Sequence, residues 1–156
     1  MKVKYLGLFA TFLVLAIAVQ PIYAGDYPDW TPTGINVTDQ YGHCQSQFNF
    51  PCNTDEMFNV TLWYEVNLWD EGIKKEGTAW QDLDLDIYKV ITNESDANGL
   101  DISLYYHDHK STNWNGIVTT PKIQFEPGDY IFIIKYEGSR RLLQDSCMTK
   151  VKIHVS

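Results

Sequence analysis

The chain has 156 residues, with 20 Asp or Glu against 12 Lys or Arg, so its formal net charge at pH 7 is −8. Proteins that bind nucleic acid need basic surfaces for the phosphate backbone, and this acidic composition argues against that class of partner. The length is that of one globular domain.

The first 24 residues have the layout of an export signal. Lys2 and Lys4 precede an apolar run over residues 5–19, and the small residue Ala24 stands before Gly25. The run is shorter than the roughly 20 residues that a membrane-spanning helix needs. We therefore predict cleavage after Ala24 (signal peptide 1–24), secretion or a cell-surface location, and no stable membrane insertion afterwards. An uncleaved signal that anchors the chain is the alternative.

Apolar and polar residues alternate with a period of two along the rest of the chain, which predicts β-strands. In chain order the predicted strands are 34–38, 58–68, 82–87, 101–106, one or two short segments within 116–125, 130–136 and 147–155. The segment 126–129, Glu-Pro-Gly-Asp, predicts a tight turn. Residues 130–136 are apolar on both faces, as is typical of a central strand covered on both sides.

These segments predict the fold class. No part of residues 25–156 shows a convincing helical period, so we expect one all-β domain over 25–156, an antiparallel two-sheet β-sandwich of about seven to eight strands, immunoglobulin-like or jelly-roll. The connections 39–56, 69–81 and 92–100 carry no strand signal. Loops of that length in a compact domain tend to be functional or mobile.

Two short motifs carry a family resemblance. Residues 81–88, Gln-Asp-Leu-Asp-Leu-Asp-Ile-Tyr, and residues 126–132, Glu-Pro-Gly-Asp-Tyr-Ile-Phe, resemble the pre-peptidase C-terminal domain and related immunoglobulin-like or jelly-roll modules of secreted proteins. The likeness covers about residues 58–155. It implies a non-catalytic module that assists folding, secretion or binding, in some cases with calcium. The chain departs from the pattern at 89–91, Lys-Val-Ile, where the family usually turns.

Asp82, Asp84 and Asp86 project from one face of a predicted strand, with successive carboxylates roughly 7 Å apart. Calcium accepts six to eight oxygen ligands in irregular geometry, so this row, with a loop carboxylate such as Asp70 or Glu71, is a candidate calcium site. The alternative is a solvated polar face, because one strand cannot direct three alternate side chains at a single ion.

His107 and His109 flank Asp108, and an extended backbone places both imidazoles on the same side. Such a pair can bind zinc or copper with a third ligand. The alternative is a pair of loop histidines that bind no metal.

Aromatic residues are the other candidate binding groups. Trp69 and Trp114 lie among polar neighbours, and exposed rings of this kind stack on sugars or anchor protein partners. Trp80 is a further candidate, and Trp63 alone interrupts the polar face of its strand. The alternative for each is ordinary packing in the core.

Three cysteines and three glycosylation motifs fall in the exported part. Cys44, Cys52 and Cys147 are disulfide candidates in an oxidising compartment: Cys44 and Cys52 close a small loop, or Cys147 joins its strand to the early loop, or Cys147 stays a buried free thiol. The acceptor pattern for N-linked sugar occurs at three asparagines, Asn36, Asn59 and Asn93.

Motifs for catalysis are lacking in the sequence: there is no nucleophile elbow, no phosphate cradle and no spaced acid/base pair. We therefore predict a non-enzymatic module for binding, adhesion or assembly, with a protein or glycan partner at the cell surface and no cofactor except possible calcium. One alternative is a calcium- or carbohydrate-binding module. A second is a small exported hydrolase, which needs a histidine in contact with a carboxylate and a hydroxyl.

Overall fold

The computed structural model describes residues 30–91 and 101–156. The predicted signal peptide 1–24 and Asn93 lie outside these ranges. The described residues form eleven strands: β1 (Thr33–Asp39), β2 (Gln47–Phe50), β3 (Asp55–Glu56), β4 (Phe58–Leu68), β5 (Gly72–Gly77), β6 (Asp82–Ile91), β7 (Asp101–Ser111), β8 (Ile117–Thr119), β9 (Ile123–Gln124), β10 (Gly128–Tyr136) and β11 (Cys147–Val155). Within the same ranges, no helix is long and apolar enough to span a membrane.

The strands form a sandwich of two main sheets, which confirms the predicted all-β class. One sheet has the order β2-β11-β10-β6-β7, and the other has the order β1-β4-β5 with β8 also paired to β4. Strands β3 and β9 form a short separate pair. Every pairing is antiparallel except that of β2 with β11, which is parallel. The strand count is eleven rather than the seven to eight expected.

The core lies between the inner faces of the two sheets. Leu62 of β4 and Leu85 of β6 are both fully buried, as the alternation of these strands predicts. Phe58 at the start of β4 packs against Phe48 of β2 and Phe132 of β10, with ring centroids 5.5 and 5.4 Å apart. These aromatic contacts join the two sheets at one end of the sandwich.

The central strand β10 buries one face more completely than the other. Its inward side chains, Tyr130, Phe132, Ile134 and Tyr136, are all buried. On the outer face Ile131 and Ile133 are half-buried and Lys135 is exposed. The position in the middle of the sheet is therefore confirmed, but the expected cover on both faces is incomplete, since no further layer packs on the outer face within the described residues.

Two of the predicted loops contain strands. Residues 39–56 include β2 and β3, and residues 69–81 include β5. Strand β5 pairs with β4 along its whole length, from Trp63 opposite Gly77 to Leu68 opposite Gly72, yet nearly all of its residues are exposed. Because neither face of β5 is buried, its sequence carries no apolar alternation that would predict a strand.

All three cysteines are free in the structure. Cys44 precedes the extended strand β2 and Cys52 follows it, and no disulfide joins them. Cys147 is a half-buried thiol at the start of β11, and burial raises its pKa despite a hydrogen bond with Thr33. Disulfide formation among these cysteines stays a prediction, and a count of free thiols in the purified protein tests it.

The two described glycosylation candidates lie on neighbouring strands. Asn36 of β1 is exposed, whereas Asn59 of β4 is half-buried and its side-chain oxygen accepts a hydrogen bond from the Thr119 hydroxyl at 2.7 Å. Glycosylation at Asn36, Asn59 and Asn93 stays a prediction.

Candidate functional site

The aspartate row and the histidine pair, predicted as separate candidates, lie side by side. In the pairing of β6 with β7, Asp86 stands opposite His107, Asp84 opposite His109 and Asp82 opposite Ser111. Because the alternate residues Leu83, Leu85 and Ile87 fill the core, these polar side chains all occupy the outer face of the five-stranded sheet. We call this cluster the Asp–His ladder.

Each rung of the ladder is a hydrogen bond between the two strands. The Nδ1 atom of His107 lies 2.6 Å from Asp86 Oδ1, and Nδ1 of His109 lies 2.7 Å from Asp84 Oδ1. The Ser111 hydroxyl donates to Asp82 Oδ1. The hydrogen bond to Asp84, helped by the charges of Asp82 and Asp108, holds the pKa of His109 above its usual value.

His107 and His109 both lie within strand β7. The alternative expectation, which placed them in a loop, is wrong about their position. β7 runs to Ser111, five residues beyond the predicted end of this strand, and forms the edge of its sheet. Both imidazoles are therefore more than half exposed, at 57% for His107 and 59% for His109. The Asp86 side chain beneath them is only 13% exposed.

The ladder's hydrogen bonds limit the chemistry it offers. Among the described residues no serine or threonine hydroxyl bonds to a histidine ring; the Ser111 hydroxyl bonds to Asp82 instead. In the same ranges no group of three or more His, Cys, Asp or Glu side chains is arranged to hold a metal ion. Asp84 and Asp86 each direct an oxygen to an imidazole, so calcium binding by Asp82, Asp84 and Asp86 stays a prediction.

A second region of interest is one end of the sandwich, where four connecting segments meet. Asp84 pairs with Lys135 near the end of β10, and Asp82 pairs with Ser111 at the end of β7. The segments 78–81, 112–116 and 137–146 therefore leave the five-stranded sheet at the same end. The β4–β5 turn, 69–71, projects beyond them. We call these four segments the loop end.

Backbone contacts hold the loop end together. The Trp80 N–H donates to the Thr112 carbonyl at 3.2 Å, and the Thr112 N–H donates to the Gln81 carbonyl at 2.8 Å. Gly77 packs directly against the chain of the neighbouring segment, because a Cβ there would lie 1.9 Å from the Asn115 carbonyl oxygen. The positions of Trp80 and Trp114 are thus fixed relative to each other by the backbone.

Four of the five tryptophans are exposed, and all four belong to this end of the molecule. Trp69 is fully exposed, Trp114 is 73% exposed and Trp80 is 71% exposed. Trp30 is 41% exposed, and the next residue, Thr31, donates its N–H to the Leu143 carbonyl of the loop end. The predicted exposure of Trp69 and Trp114 is confirmed.

Trp80 is a candidate from the sequence that was not among the two tryptophans predicted to be exposed, and the structure exposes it as well. Its φ is positive, at 58°, and this left-handed conformation is uncommon for residues other than glycine, so the sequence does not predict it for a tryptophan. Its position in the turn between β5 and β6 was hidden because β5 itself carries no strand signal. The structure therefore adds Trp80 to the exposed pair and places it on a segment that is hydrogen-bonded to the segment of Trp114, whereas Trp69 lies at the tip of its own hairpin.

The fifth tryptophan, Trp63, packs on the outer face of the other sheet. It pairs with Gly34 of β1 and Gly77 of β5, and Gly34 leaves room for its ring. The Lys75 ammonium lies 3.8 Å from the ring centroid. Trp63 therefore has a structural role, although it interrupts a polar face in sequence.

A cleft of about 370 Å³ opens between the two sheets at the loop end. Its lining includes Tyr64, Thr78, Leu142 and Gln144. The Thr78 hydroxyl is buried without a hydrogen-bond partner, and the Tyr64 hydroxyl donates to Glu76 at 3.1 Å. Burial and this hydrogen bond raise the pKa of Tyr64. The cleft therefore combines apolar walls with polar groups that can accept or donate.

Comparisons with known proteins do not identify a family for this chain. No protein-family model and no curated protein matches the chain. Among solved structures it is similar to a β-glucosidase from Listeria innocua in complex with isofagomine, with a TM-score of 0.34, 10% identity, and coverage of 90% of this chain and 20% of that chain. A second structure of the β-glucosidase from this organism gives a TM-score of 0.31, 9% identity, and coverage of 81% and 16%. The chain thus spans about a fifth of the length of these structures.

Proposed function

We propose that this β-sandwich is a secreted or cell-surface, non-catalytic module that binds a protein or glycan partner through its loop end. The observation that carries the proposal is the exposure of four of five tryptophans, all at one end of the sandwich. Covering a large apolar side chain is worth roughly 1.5–3 kcal/mol, so rings left in water at one place favour a partner that covers them. The export signal predicted in residues 1–24 supports the location.

The shape of the loop end suits a binding surface. β1 begins at Thr33, opposite Tyr64, so β4 continues four residues beyond the last pair with β1, and there it pairs with β5 and accepts the Pro32 segment, whose carbonyl receives the Glu65 N–H at 3.0 Å. This projecting hairpin carries Trp69 at its tip and the exposed Ile73 on its side, near Trp30. The hairpin rises beside the cleft, and aromatic anchors around a recess are the groups that dominate binding energy in interfaces.

Backbone strain at Trp80 gives independent support. A left-handed conformation costs a residue with a Cβ roughly 1–2 kcal/mol. Two hydrogen bonds hold Trp80 in this conformation. The Trp80 N–H donates to the Thr112 carbonyl, and the Gln81 N–H donates to the Thr112 hydroxyl at 3.0 Å. Strained backbone that is over-determined by its surroundings clusters at binding sites.

The carbohydrate-binding alternative rests on the same surface. Flat rings near a cleft lined by hydroxyl and amide groups suit a sugar, whose faces are apolar and whose edges are polar. The cleft of about 370 Å³ is within the usual range for a small-ligand site. Calcium binding and hydrolysis have no comparable support from the contacts of the described residues.

A binding experiment with paired variants tests the proposal. The mature domain is immobilised and exposed to its native cell envelope extract and to a glycan array, and captured partners are measured again with Trp80→Ala/Trp114→Ala. We expect at least about a tenfold loss of affinity, since central aromatic anchors each contribute 2 kcal/mol or more. Tyr41→Ala is the matched control, because Tyr41 is 76% exposed but lies at the opposite end. Equal binding by wild type and the double variant would overturn the proposal.

A further inference from the structure

We propose that His107 and His109 form a two-imidazole chelate for a divalent transition-metal ion, with Cu²⁺ and Ni²⁺ as the ions that fit best. The site lies on the outer face of the five-stranded sheet and goes beyond the binding function of the loop end. It rests on the geometry of the Asp–His ladder, and neither proposal depends on the other.

The spacing of the two histidines suits chelation. Residues i and i+2 of a strand share a face and stand about 6.5–7 Å apart at their Cα atoms, so rotation of the two side chains about their Cα–Cβ and Cβ–Cγ bonds brings one nitrogen of each ring to a single ion. Both residues lie within β7, where strand pairing with β6 fixes the backbone. Both rings are open to solvent, so an ion reaches them without any rearrangement of the fold.

The aspartates prepare the rings for this role. A metal-binding histidine usually donates its second ring N–H to a carboxylate, which fixes the tautomer. Here Nδ1 of His107 faces Asp86 and Nδ1 of His109 faces Asp84, at 2.6 and 2.7 Å. With Nδ1–H directed at the carboxylate, the neutral ring carries its free electron pair on Nε2. Both histidines therefore present Nε2 as the available ligand atom.

The surrounding charge favours a cation. Asp84 and Asp86 lie beneath the rings, and Asp82 Oδ2 is 3.9 Å from His109 Nε2. Lys135, opposite Asp84 on β10, and Lys150 and Lys152 of β11, opposite Ile133 and Ile131, are the lysines on this face. The carboxylates stand between these lysines and the histidines, because β6 lies between β10 and β7.

The ligand set selects among ions. Two nitrogens with water in the other positions suit Cu²⁺ and Ni²⁺, which favour tetragonal nitrogen and oxygen coordination, and Cu²⁺ binds most strongly in the divalent series. Zn²⁺ usually takes three or four protein ligands, and Ca²⁺ takes oxygen ligands. Binding in the order Cu²⁺, Ni²⁺, Zn²⁺, with Ca²⁺ far weaker, is therefore expected.

The chain contains its own controls. His43, in the connection after β1, and His154 of β11 also bond through Nδ1 to an aspartate, Asp39 at 2.9 Å and Asp129 at 2.7 Å, but neither has a histidine two residues away. They match the ladder histidines in chemistry and lack only the second imidazole. A metal that simply favours exposed histidines would not distinguish the four.

Titration calorimetry of the mature domain with Cu²⁺ and with Ni²⁺ tests the proposal. We expect one strong site per chain, weakened at least about tenfold by His107→Ala or by His109→Ala because the second ligand no longer acts intramolecularly. His154→Ala and His43→Ala should leave this site unchanged. Asp86→Asn should weaken it about 10–100-fold, the usual effect of removing the carboxylate behind a ligand.

Paramagnetic resonance of the Cu²⁺ complex provides a readout that a change in stability would not alter. The wild type should show coupling to two imidazole nitrogens, and each single alanine variant should show coupling to one. Circular dichroism checks that the variants fold. If the Cu²⁺ affinity is the same in wild type, His107→Ala and His109→Ala, or if the spectrum shows fewer than two imidazoles, the chelate does not exist. Trp80→Ala/Trp114→Ala should bind Cu²⁺ normally, so failure of this proposal and failure of the loop-end proposal are distinguishable.

Discussion

At the scale of single residues, Trp80 and Asp39 show two ways in which the chain fixes its turns. Trp80 takes a left-handed backbone because Thr112 of the neighbouring segment bonds to the backbone of Trp80 and Gln81. Asp39, at the opposite end, accepts hydrogen bonds from the backbone N–H of Tyr41 at 2.9 Å and of His43 at 2.8 Å. Tertiary hydrogen bonds hold the Trp80 turn in a backbone conformation that tryptophan disfavours, and a buried carboxylate holds the Asp39 turn.

The backbone of Trp80 predicts an unusual order of stability for two variants. Trp80→Ala keeps a Cβ in the left-handed region and so keeps the steric penalty of roughly 1–2 kcal/mol, which Trp80→Gly removes. Part of that gain is lost because glycine has greater conformational freedom in the unfolded chain. We expect Trp80→Gly to be more stable than Trp80→Ala by about 1 kcal/mol in urea unfolding. At Trp114, which has no positive φ, the order should reverse. The same order at both positions would contradict the strained conformation.

Asp39 predicts a pH dependence of stability. Burial alone raises the pKa of Asp39, but the hydrogen bonds from His43 and Tyr41 outweigh it and hold the pKa below the ordinary value of 3.8. Since the folded state has the lower pKa, the carboxylate stabilises the fold above pH 3.8, and that contribution is lost as the pH falls below this value. Asp39→Asn should therefore cost about 1–2 kcal/mol at pH 7 and almost nothing near pH 2, as measured by urea unfolding. A constant difference across this range would mean that the charge is not what stabilises the turn.

At the scale of strands, the outer face of the β1-β4-β5 sheet depends on the small residues beside Trp63. Gly34 and Gly77 pair with Trp63 from the two sides, and a Cβ on Gly34 would lie 2.1 Å from Cζ2 of the ring. Lys75 covers the other side of the same ring. The glycine in β1 is therefore required by the tryptophan in β4.

Gly34→Ala should destabilise the domain by about 1–3 kcal/mol, the usual effect of forcing extra volume into a packed site. The ring must tilt away and lose its contact with Lys75. In the Trp63→Ala background the same substitution should have little effect, so a double-mutant cycle measures the clash directly. If Gly34→Ala is equally costly in both backgrounds, the backbone of β1 and not the ring is the cause.

Burial explains which elements the sequence analysis found. β4, β6 and β11 each bury one face, so alternation marked them, and the polar side chains of β6 were assigned to the outer face correctly. β2 and β5 were missed because β2 is a short edge strand and β5 buries neither face. The pairing of Asp84 with His109 was also hidden, since it depends on the register of β6 with β7 and on the irregularity at Ile87 and Tyr88. The register between two strands depends on tertiary packing, and the alternation of polar and apolar residues within each strand does not determine it.

At the scale of the whole molecule, stability and proposed binding lie at opposite ends of the sandwich. The aromatic cluster around Phe58 closes the core at one end, while the exposed tryptophans occupy the other. Fully exposed Trp69 contributes almost nothing to the packed interior. The two ends should therefore respond independently to substitution.

Phe58→Ala tests this separation. Phe58 is fully buried and contacts four rings, those of Phe48, Phe50, Phe125 and Phe132, at centroid distances of 5.5, 6.0, 6.4 and 5.4 Å. Removing a buried phenylalanine costs about 3–5 kcal/mol, so the unfolding midpoint in urea should fall markedly. Phe50→Ala, at a half-buried ring of the same cluster, should cost less, and Trp69→Ala should change the free energy of unfolding by no more than about 0.5 kcal/mol. A loss at Trp69 comparable to that at Phe58 would mean that the projecting hairpin packs against the domain, and that its tryptophan serves the fold instead of a partner.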